Sequence, residues 1–296
     1  MLSILIPTYN YDISKLLRVL HQQATVANIA FEILAKDDAS SKHIDTNITT
    51  TKELGNAHFF TAKENIGRTA SRQFLAKRAK YEWLLFLDAD VIPKSDNYLN
   101  EYIAQINSEY QCVFGGFAYD ESTPNRNELL RWKYGKTYEE IDASIRNRKP
   151  YEIVISANFL IQKFVFEKIN PLLDRKGYGL DNYFSALLKK EQISVFHINN
   201  EVYHYGLETN TKYLEKAEEA TDTVLWMKNE KQIIEHNNKL LKLHLSLKRY
   251  KLHYLTTFFY KISHKSIKKN LEDKNPSVIL LQLYKLFYIS YKDSVR

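Results

Sequence analysis

The sequence predicts an α/β protein, a mostly parallel sheet flanked by helices, followed by a C-terminal helical extension. Three observations carry this. Apolar runs of strand length alternate with amphipathic stretches from residue 2 to residue 87. The first four apolar runs each end in a polar cluster, as strands do at the rim of an open sheet, where ligands bind. Beyond residue 227 the charge balance changes sign: 15 Lys and Arg stand against five Asp and Glu, while residues 1–227 carry 27 against 30.

Leu2 to Ile6 is the first strand and ends in Pro7-Thr8-Tyr9-Asn10; Ile13 to Gln23 repeats apolar residues at helical steps. Phe31 to Ala35 is the second strand and leads to Asp37-Asp38-Ala39-Ser40, where Ser40 or Ser41 can cap a following helix. His58 to Ala62 is the third, leading to Glu64-Asn65-Ile66-Gly67-Arg68, and Arg68 to Ala79 is helical. Trp83 to Leu87 is the fourth and runs straight into Asp88-Ala89-Asp90. Cys112 to Phe114 with Gly115-Gly116 closes a first half over residues 1–116. Asp120 to Pro150 is polar and holds the helical patch Glu128 to Tyr134, so it reads either as a mobile segment or as a surface helix hairpin.

Ile153-Val154-Ile155 restarts a strand, and Gln162 to Ile169 is a helix. Gly177-Tyr178-Gly179-Leu180-Asp181-Asn182 is a turn into a helix from Tyr183 to Lys190. Ile193 to Ile198 is another strand, and His204 sits just past Glu201-Val202-Tyr203. The expected division is 1–215, with halves 1–116 and 117–215, and an extension over 216–296.

A length of 296 residues with 44% hydrophobic and 13% aromatic content supports one large domain with an appendage. The single cysteine, Cys112, makes no internal disulfide and neighbours apolar Val113, which fits a reducing compartment and a buried structural thiol. No basic leader precedes the first strand, so a cytoplasmic location is expected. The tail's apolar runs, Leu252 to Ile262 and Val278 to Tyr291, are too short to span a bilayer. Basic and aromatic, they suit peripheral contact with the inner face of the cytoplasmic membrane, or packing on this chain or on a second copy. Nucleic acid is not expected, because the lysines alternate with Leu, Phe and Tyr bulk and no binding motif is present.

The Asp88-Ala89-Asp90 junction is the most informative chemical feature. At alternate positions two carboxylates can point one way and suit a hard divalent cation, Mn²⁺ or Mg²⁺. The bland alternative is a solvated turn. Arg68 and Arg72 share one helical face, so one can meet an anionic ligand while the other forms a surface pair. One of Asp37 and Asp38 is expected only to cap. Neither a Gly-x-Gly-x-x-Gly fingerprint nor a Gly-Lys-Ser/Thr phosphate loop occurs.

Taken in order, Ser3-Ile4-Leu5-Ile6-Pro7-Thr8-Tyr9-Asn10, Asp37-Asp38-Ala39-Ser40, Asn65-Ile66-Gly67 with Arg72, Phe86-Leu87-Asp88-Ala89-Asp90, Gly177-Tyr178-Gly179-Leu180-Asp181 and His204 resemble the family 2 glycosyltransferases. The resemblance covers residues 2–215 and implies the Rossmann-like GT-A fold, with 1–116 as the nucleotide-binding half and 117–215 as the acceptor half. It implies a nucleotide-sugar donor, UDP-linked, held by Pro7, Thr8, Tyr9 and Asp38 at base and ribose, with Asn65, Arg72, Asp88 and Ala89 also on the donor side. It makes Asp90 the direct metal ligand, Asp88 a ribose or water-mediated partner, and His204 the completing ligand.

Asp181 is the implied base for a single, inverting displacement onto a saccharide or lipid-linked acceptor, in surface polysaccharide assembly. The family more often has Glu-Asp at this turn, where this chain has Leu180-Asp181. The tail inherits nothing from the resemblance. Two other readings remain open at this level: a haloacid dehalogenase-like phosphatase built on Asp88-Ala89-Asp90-Val91, and an inactive nucleotide-sugar-binding protein. His197 competes with His204 as a metal ligand.

Overall fold

The computed structural model describes residues 1–173, 175–231 and 237–295. In chain order the elements are β1 (Leu2–Thr8), α1 (Ser14–Val26), β2 (Phe31–Asp37), α2 (Ile44–Glu53), β3 (Ala57–Thr61), α3 (Arg68–Arg78), β4 (Trp83–Leu87), β5 (Val91–Pro93), α4 (Tyr98–Ile103), β6 (Cys112–Phe114) and β7 (Phe117–Ala118). Then come α5 (Leu129–Tyr138), α6 (Ala143–Asn147), β8 (Asn158–Gln162), α7 (Lys163–Ile169), α8 (Leu180–Lys190), β9 (Val195–His197), β10 (Val202–His204), α9 (Asn210–Asn229), α10 (Lys239–Arg249), α11 (His253–Glu272) and α12 (Val278–Ser294).

These elements form two compact units: Met1–Tyr119, Glu139–Lys176 and Glu191–Gly206 make the first, and Asp120–Tyr138, Gly177–Lys190 and Leu207–Arg296 the second. These compact units do not follow the expected division at residue 215. The glycine turn with its helix and the patch at Glu128 to Tyr134 belong with the C-terminal helices. The segment from Asp120 to Pro150 carries α5 and α6, in keeping with the helical reading.

The first unit holds a seven-stranded sheet in the order β3-β2-β1-β4-β8-β6-β9, with only β8 antiparallel to its neighbours. Every residue of β1 and β4 is buried, as expected where helices cover both faces of a parallel sheet. Each fully buried Leu or Ile there contributes about 1.5–3 kcal/mol of transfer free energy. A second sheet, β5-β10-β7, pairs β10 antiparallel to β5 and parallel to β7. Cys112 lies buried on β6, its thiol pushed up by that burial, as a structural cysteine should be.

The strand expected at Ile153 to Ile155 lies instead at Asn158–Gln162, paired on both edges. Asn158 explains the shift. Its Oδ1 accepts from the hydroxyls of Tyr98 at 2.6 Å and Tyr102 at 2.7 Å, and its Nδ2 donates to the carbonyls of Gly116 and Asn200 at 2.9 Å each. All its bonding capacity is used inside the core. Gly115 packs so closely on this group that a Cβ would stand 2.4 Å from the Asn200 carbonyl.

His197 is buried beside it. The Arg146 guanidinium, which has only donors, lies 2.9 Å from His197 Nδ1, so Nδ1 accepts and Nε2 donates to the Pro150 carbonyl at 2.8 Å. Both ring nitrogens are spent in the core, which removes His197 from contention as a metal ligand. Burial first, then the Arg146 charge, pushes its pKa down from 6.5 to about 4 against the opposing Pro150 bond.

The second unit is built around α9, α11 and α12, with Tyr213, Leu214, Ile267, Leu271, Leu281 and Tyr284 at its centre. The hydroxyl of Tyr284 donates to Glu218 and that of Tyr288 to Asp222, so aromatic bulk and polar tips are both accommodated. Asp293 fastens α10 to α12 through His244 and Lys248.

Two measurements test this account. Asn158→Leu leaves two hydroxyls and two carbonyls buried without their partner, each costing about 1–3 kcal/mol, so urea unfolding should show a loss of ~3 kcal/mol or more; a loss below ~1 kcal/mol contradicts the hub. Because the folded pKa of His197 lies below the unfolded one, its stabilising effect is complete above pH 6.5 and is lost as pH falls toward about 4, by about 3 kcal/mol in full. His197→Gln should flatten the melting-temperature profile across that window, and an unchanged slope would count against it.

Candidate functional site

Strands β1 to β4 run parallel and adjacent, so their C-terminal ends share one rim. Pro7 and Thr8 end β1 in the core, and Tyr9 follows with its side chain 54% exposed. Asn10, at φ +50°, donates from its backbone to Ser40 Oγ at 2.7 Å and accepts from the Ser41 N–H at 2.8 Å, tying two rim loops together. Ser40 and Ser41 are thus used here and not as caps; α2 begins at Ile44 with no side-chain cap. Asp37 accepts from the Ser40 N–H at 3.0 Å, the local role expected of one of the pair.

Asp38 accepts from four protein donors: the N–H groups of Ile66 and Gly67 at 3.0 and 2.8 Å, Ser71 Oγ at 3.0 Å and Lys36 Nζ at 3.2 Å. Burial pushes its carboxyl up, and these bonds outweigh burial and hold it below the usual range. Three of these donors meet Oδ1 and only the Gly67 N–H meets Oδ2, so the carboxylate pins the loop Asn65-Ile66-Gly67 to the rim while Oδ2 keeps acceptor capacity for the expected donor contact. Asn65 adds a bond from Nδ2 to the Asp38 carbonyl at 3.2 Å.

Asp88 and Asp90 part company. β4 stops at Leu87, so the alternation that would aim both carboxylates one way ends there. Asp88 pairs with Arg72 Nη2 at 2.7 Å and Arg68 Nη1 at 2.9 Å. Arg72 also donates to the Ser156 carbonyl and hydroxyl, and lies over the rings of Phe86 and Phe159. Its side chain is 8% exposed against 37% for Arg68. Arg72, expected on the donor side, is the more enclosed of the two and holds Asp88 in place, while Arg68 is the more accessible cation. Ala89 is half-buried between the two acids.

Asp90 immediately precedes β5, and His204 ends β10 with its backbone opposite Val91. That pairing brings His204 Nε2 to 3.4 Å from Asp90 Oδ2, while the Tyr205 N–H donates to the Asp90 carbonyl at 2.9 Å. Phe117 and Tyr119 pack on the imidazole, whose Nδ1 is buried without a hydrogen-bond partner among the described residues. Gly206 completes the arrangement, since a Cβ there would meet Asp90 Oδ2 at 1.8 Å. Burial pushes Asp90 up, and the bond and charge of His204 outweigh it and keep the acid below its ordinary range. Burial and then the charge of Asp90 push the Tyr11 hydroxyl up, so a neutral phenol neighbours the pair.

Asp90 and His204 fit a divalent cation. Metal–ligand bonds of about 2.0–2.2 Å place neighbouring ligands ~3 Å apart or slightly more, and 3.4 Å is longer than an ordinary N–H···O bond. No cluster of three His, Cys, Asp or Glu ligands occurs among the described residues. Asp88 faces the two arginines, which suits the indirect, ribose or water-mediated role expected of it, and phosphate oxygens or water would supply the remaining positions.

Asp181 belongs to the second unit. Helix α8 starts at Leu180, earlier than the expected Tyr183, and puts Asp181 half-buried in its first turn. Gly179, at φ +86°, lets the turn press on α9, where a Cβ would stand 2.7 Å from the Ala220 Cα, and Thr223 donates to the Tyr178 carbonyl at 2.8 Å. Gly206, Ser156 and Tyr11 were not singled out from the sequence. For Gly206 the available signal is a glycine two places past His204 in a chain with only eight.

The family model for glycosyl transferase family 2 matches residues 3–169. Among solved structures, the chain is similar to S. aureus TarS 1-349 in complex with UDP-GlcNAc, with TM-score 0.51 and 14% identity over 99% of this chain and 92% of that one. It is similar to the mannosyltransferase PcManGT from Pyrobaculum calidifontis in complex with GDP-Man and Mn²⁺, with TM-score 0.51 and 11% identity over 76% and 64%. A third is mannosyl-3-phosphoglycerate synthase from Rubrobacter xylanophilus, with TM-score 0.53 and 12% identity over 79% and 76%. At these identities the likeness establishes a shared fold of GT-A type. No curated protein matches the sequence.

Replacing Gly206 by Ala should push the Asp90 carboxylate out of place. Titration of Mn²⁺ in the presence of a nucleoside diphosphate, followed by the paramagnetic resonance of the free ion, should show affinity reduced at least about tenfold, the range seen when groups supporting a metal ligand are lost. Equal affinity in the two proteins would remove Asp90 from the site.

Proposed function

The chain belongs to glycosyl transferase family 2 and is a glycosyltransferase, and from that premise we propose that it moves a sugar from a nucleotide-sugar, UDP-linked, to a saccharide or lipid-linked acceptor with inversion at the anomeric carbon. The family match also overturns the phosphatase reading of Asp88. The observation that carries the donor assignment is the Asp90–His204 pair at the sheet rim, seated against Gly206. Binding of UDP-GlcNAc by TarS, and of GDP-Man with Mn²⁺ by the mannosyltransferase, supports a nucleotide-sugar and a cation at the corresponding fold.

Asp90 and His204 would hold Mn²⁺ or Mg²⁺, which when bound neutralises charge on the leaving diphosphate. Arg68 adds a partly exposed cation beside Asp88, suited to phosphate oxygens. Tyr9 offers an exposed ring at the end of β1 on which a base can stack. The acceptor oxygen forms its bond to the anomeric carbon as the bond to the diphosphate oxygen breaks, and the diphosphate leaves with the electron pair. The acceptor's hydroxyl proton passes to the carboxylate of Asp181, the proposed base. Surface polysaccharide assembly in the cytoplasm is the proposed setting, and the single buried thiol is consistent with a reducing compartment.

A thermal-shift panel of UDP-, GDP-, CDP- and TDP-sugars with and without Mn²⁺ tests this reading. Stabilisation by UDP-sugars only when Mn²⁺ is present is expected, on the order of 5 °C at a hundredfold excess over Kd, and Asp90→Asn should abolish it. Metal-independent stabilisation, or none with any nucleotide, contradicts the donor site. Asp181→Asn should keep this stabilisation and lower transfer at least about a hundredfold. Unchanged behaviour of that variant would instead favour the reading as an inactive binding protein.

A further inference from the structure

Helix α11 turns five large apolar side chains to solvent: Tyr254, Leu255, Phe258, Phe259 and Ile262, all between 39% and 65% exposed. They form two rows at four-residue steps, 254-258-262 and 255-259, and therefore one face. The opposite face, Thr256, Thr257, Ile267 and Leu271, is buried in the second unit. Tyr250 and Leu252, exposed just before the helix, extend the surface. An apolar patch of this kind, rimmed by charge, marks an interaction site more often than bare surface.

The charge identifies the partner. From Asn237 to Leu271 the chain has nine Lys and Arg and no Asp or Glu. Lys248 and Lys268 are paired with Asp293 and Glu218. Lys251, Lys261, Lys265 and Lys269 are exposed and in no ion pair among the described residues. Lys261, Lys265 and Lys269 follow the apolar rows at four-residue steps, so cationic and apolar side chains share one face. A second copy docked there would set lysines against lysines. Nucleic acid would leave Leu255, Phe259 and Ile262 without an apolar partner. An anionic lipid surface satisfies both sets, with Phe, Leu and Ile entering the acyl boundary, tyrosines at headgroup level and lysines reaching phosphate.

We propose that this face of α11 seats the protein on anionic phospholipid membrane. Among the described residues no helix is long and apolar enough to cross a membrane, so the contact is interfacial. The proposal does not depend on the donor chemistry, and either can fail alone.

The test is co-sedimentation of the full chain with vesicles of phosphatidylcholine, with and without phosphatidylglycerol. Binding to the anionic vesicles should be at least about tenfold tighter and should weaken as salt rises. Phe258→Asp with Ile262→Asp should reduce it at least about tenfold, and Lys261→Gln, Lys265→Gln and Lys269→Gln together should erase the preference for anionic lipid. Both variants change exposed side chains, and nucleotide-sugar stabilisation measured on each should equal that of the parent. No vesicle binding, equal binding to both compositions, or a dimer in light scattering that Phe258→Asp with Ile262→Asp dissociates would overturn the proposal.

Discussion

Two buried polar side chains fix the place where the seven-stranded sheet hands the chain over to the three-stranded one. Asn158 donates to the carbonyls of Gly116 and Asn200, and Arg146 donates to those of Phe114, Gly115 and Ile198. The carbonyls of Phe114, Gly115 and Gly116 also accept from the N–H groups of Ile198, Asn200 and Val202, so the two side chains reinforce the crossing where β6 and β9 end and β7 and β10 have yet to begin. Backbone carbonyls deprived of partners in an apolar interior cost more than most single contacts return. The chain is thereby held to one path, and that path delivers β10 alongside β5.

The division of labour between the two acids follows from that path. With β10 in register against β5, His204 faces Asp90 and no other carboxylate among its described partners. Asp88, one pleat earlier, falls to the arginines of α3. An acid held by two guanidinium groups is a fixed anchor, while one held by a single imidazole keeps lone pairs for a ligand. The same short peptide thus carries an acid fixed by arginines at one end and an acid with acceptor capacity to spare at the other.

Much of this was legible in the chain. Four apolar runs and their polar ends gave β1 to β4 and the shared rim; the signal is strongest for β1 and β4, because a strand buried on both faces must be apolar throughout, and weakest for the half-exposed edge strand β3. The run Ile153-Val154-Ile155 misled, since β-branched residues favour strands locally, whereas the pairing edge of β4 and the acceptors awaiting Asn158 select the later segment. An asparagine in a core strand looks like a turn until its four partners are known. Sequence could place Arg68 and Arg72 on one helical face but could not show that Ser156 and two phenylalanine rings enclose Arg72 alone. His197 and His204 are alike in sequence, and only the presence of Arg146 beside one and Asp90 beside the other separates them. The grouping of Gly177–Lys190 with the C-terminal helices was hidden for a similar reason: it rests on contacts between distant segments such as Thr223 and Tyr178.

The absence of room at Gly206 reaches beyond this one chain. Hydrogen is the only substituent that position tolerates while the acid beside the adjoining strand keeps its orientation, so the two positions are expected to vary together. Among related sequences, a larger residue at the one and a retained aspartate at the other form a combination in which the carboxylate must leave the position it holds here. Reading both positions together would sort descendants that preserve this pocket from those that have surrendered it, without a single coordinate.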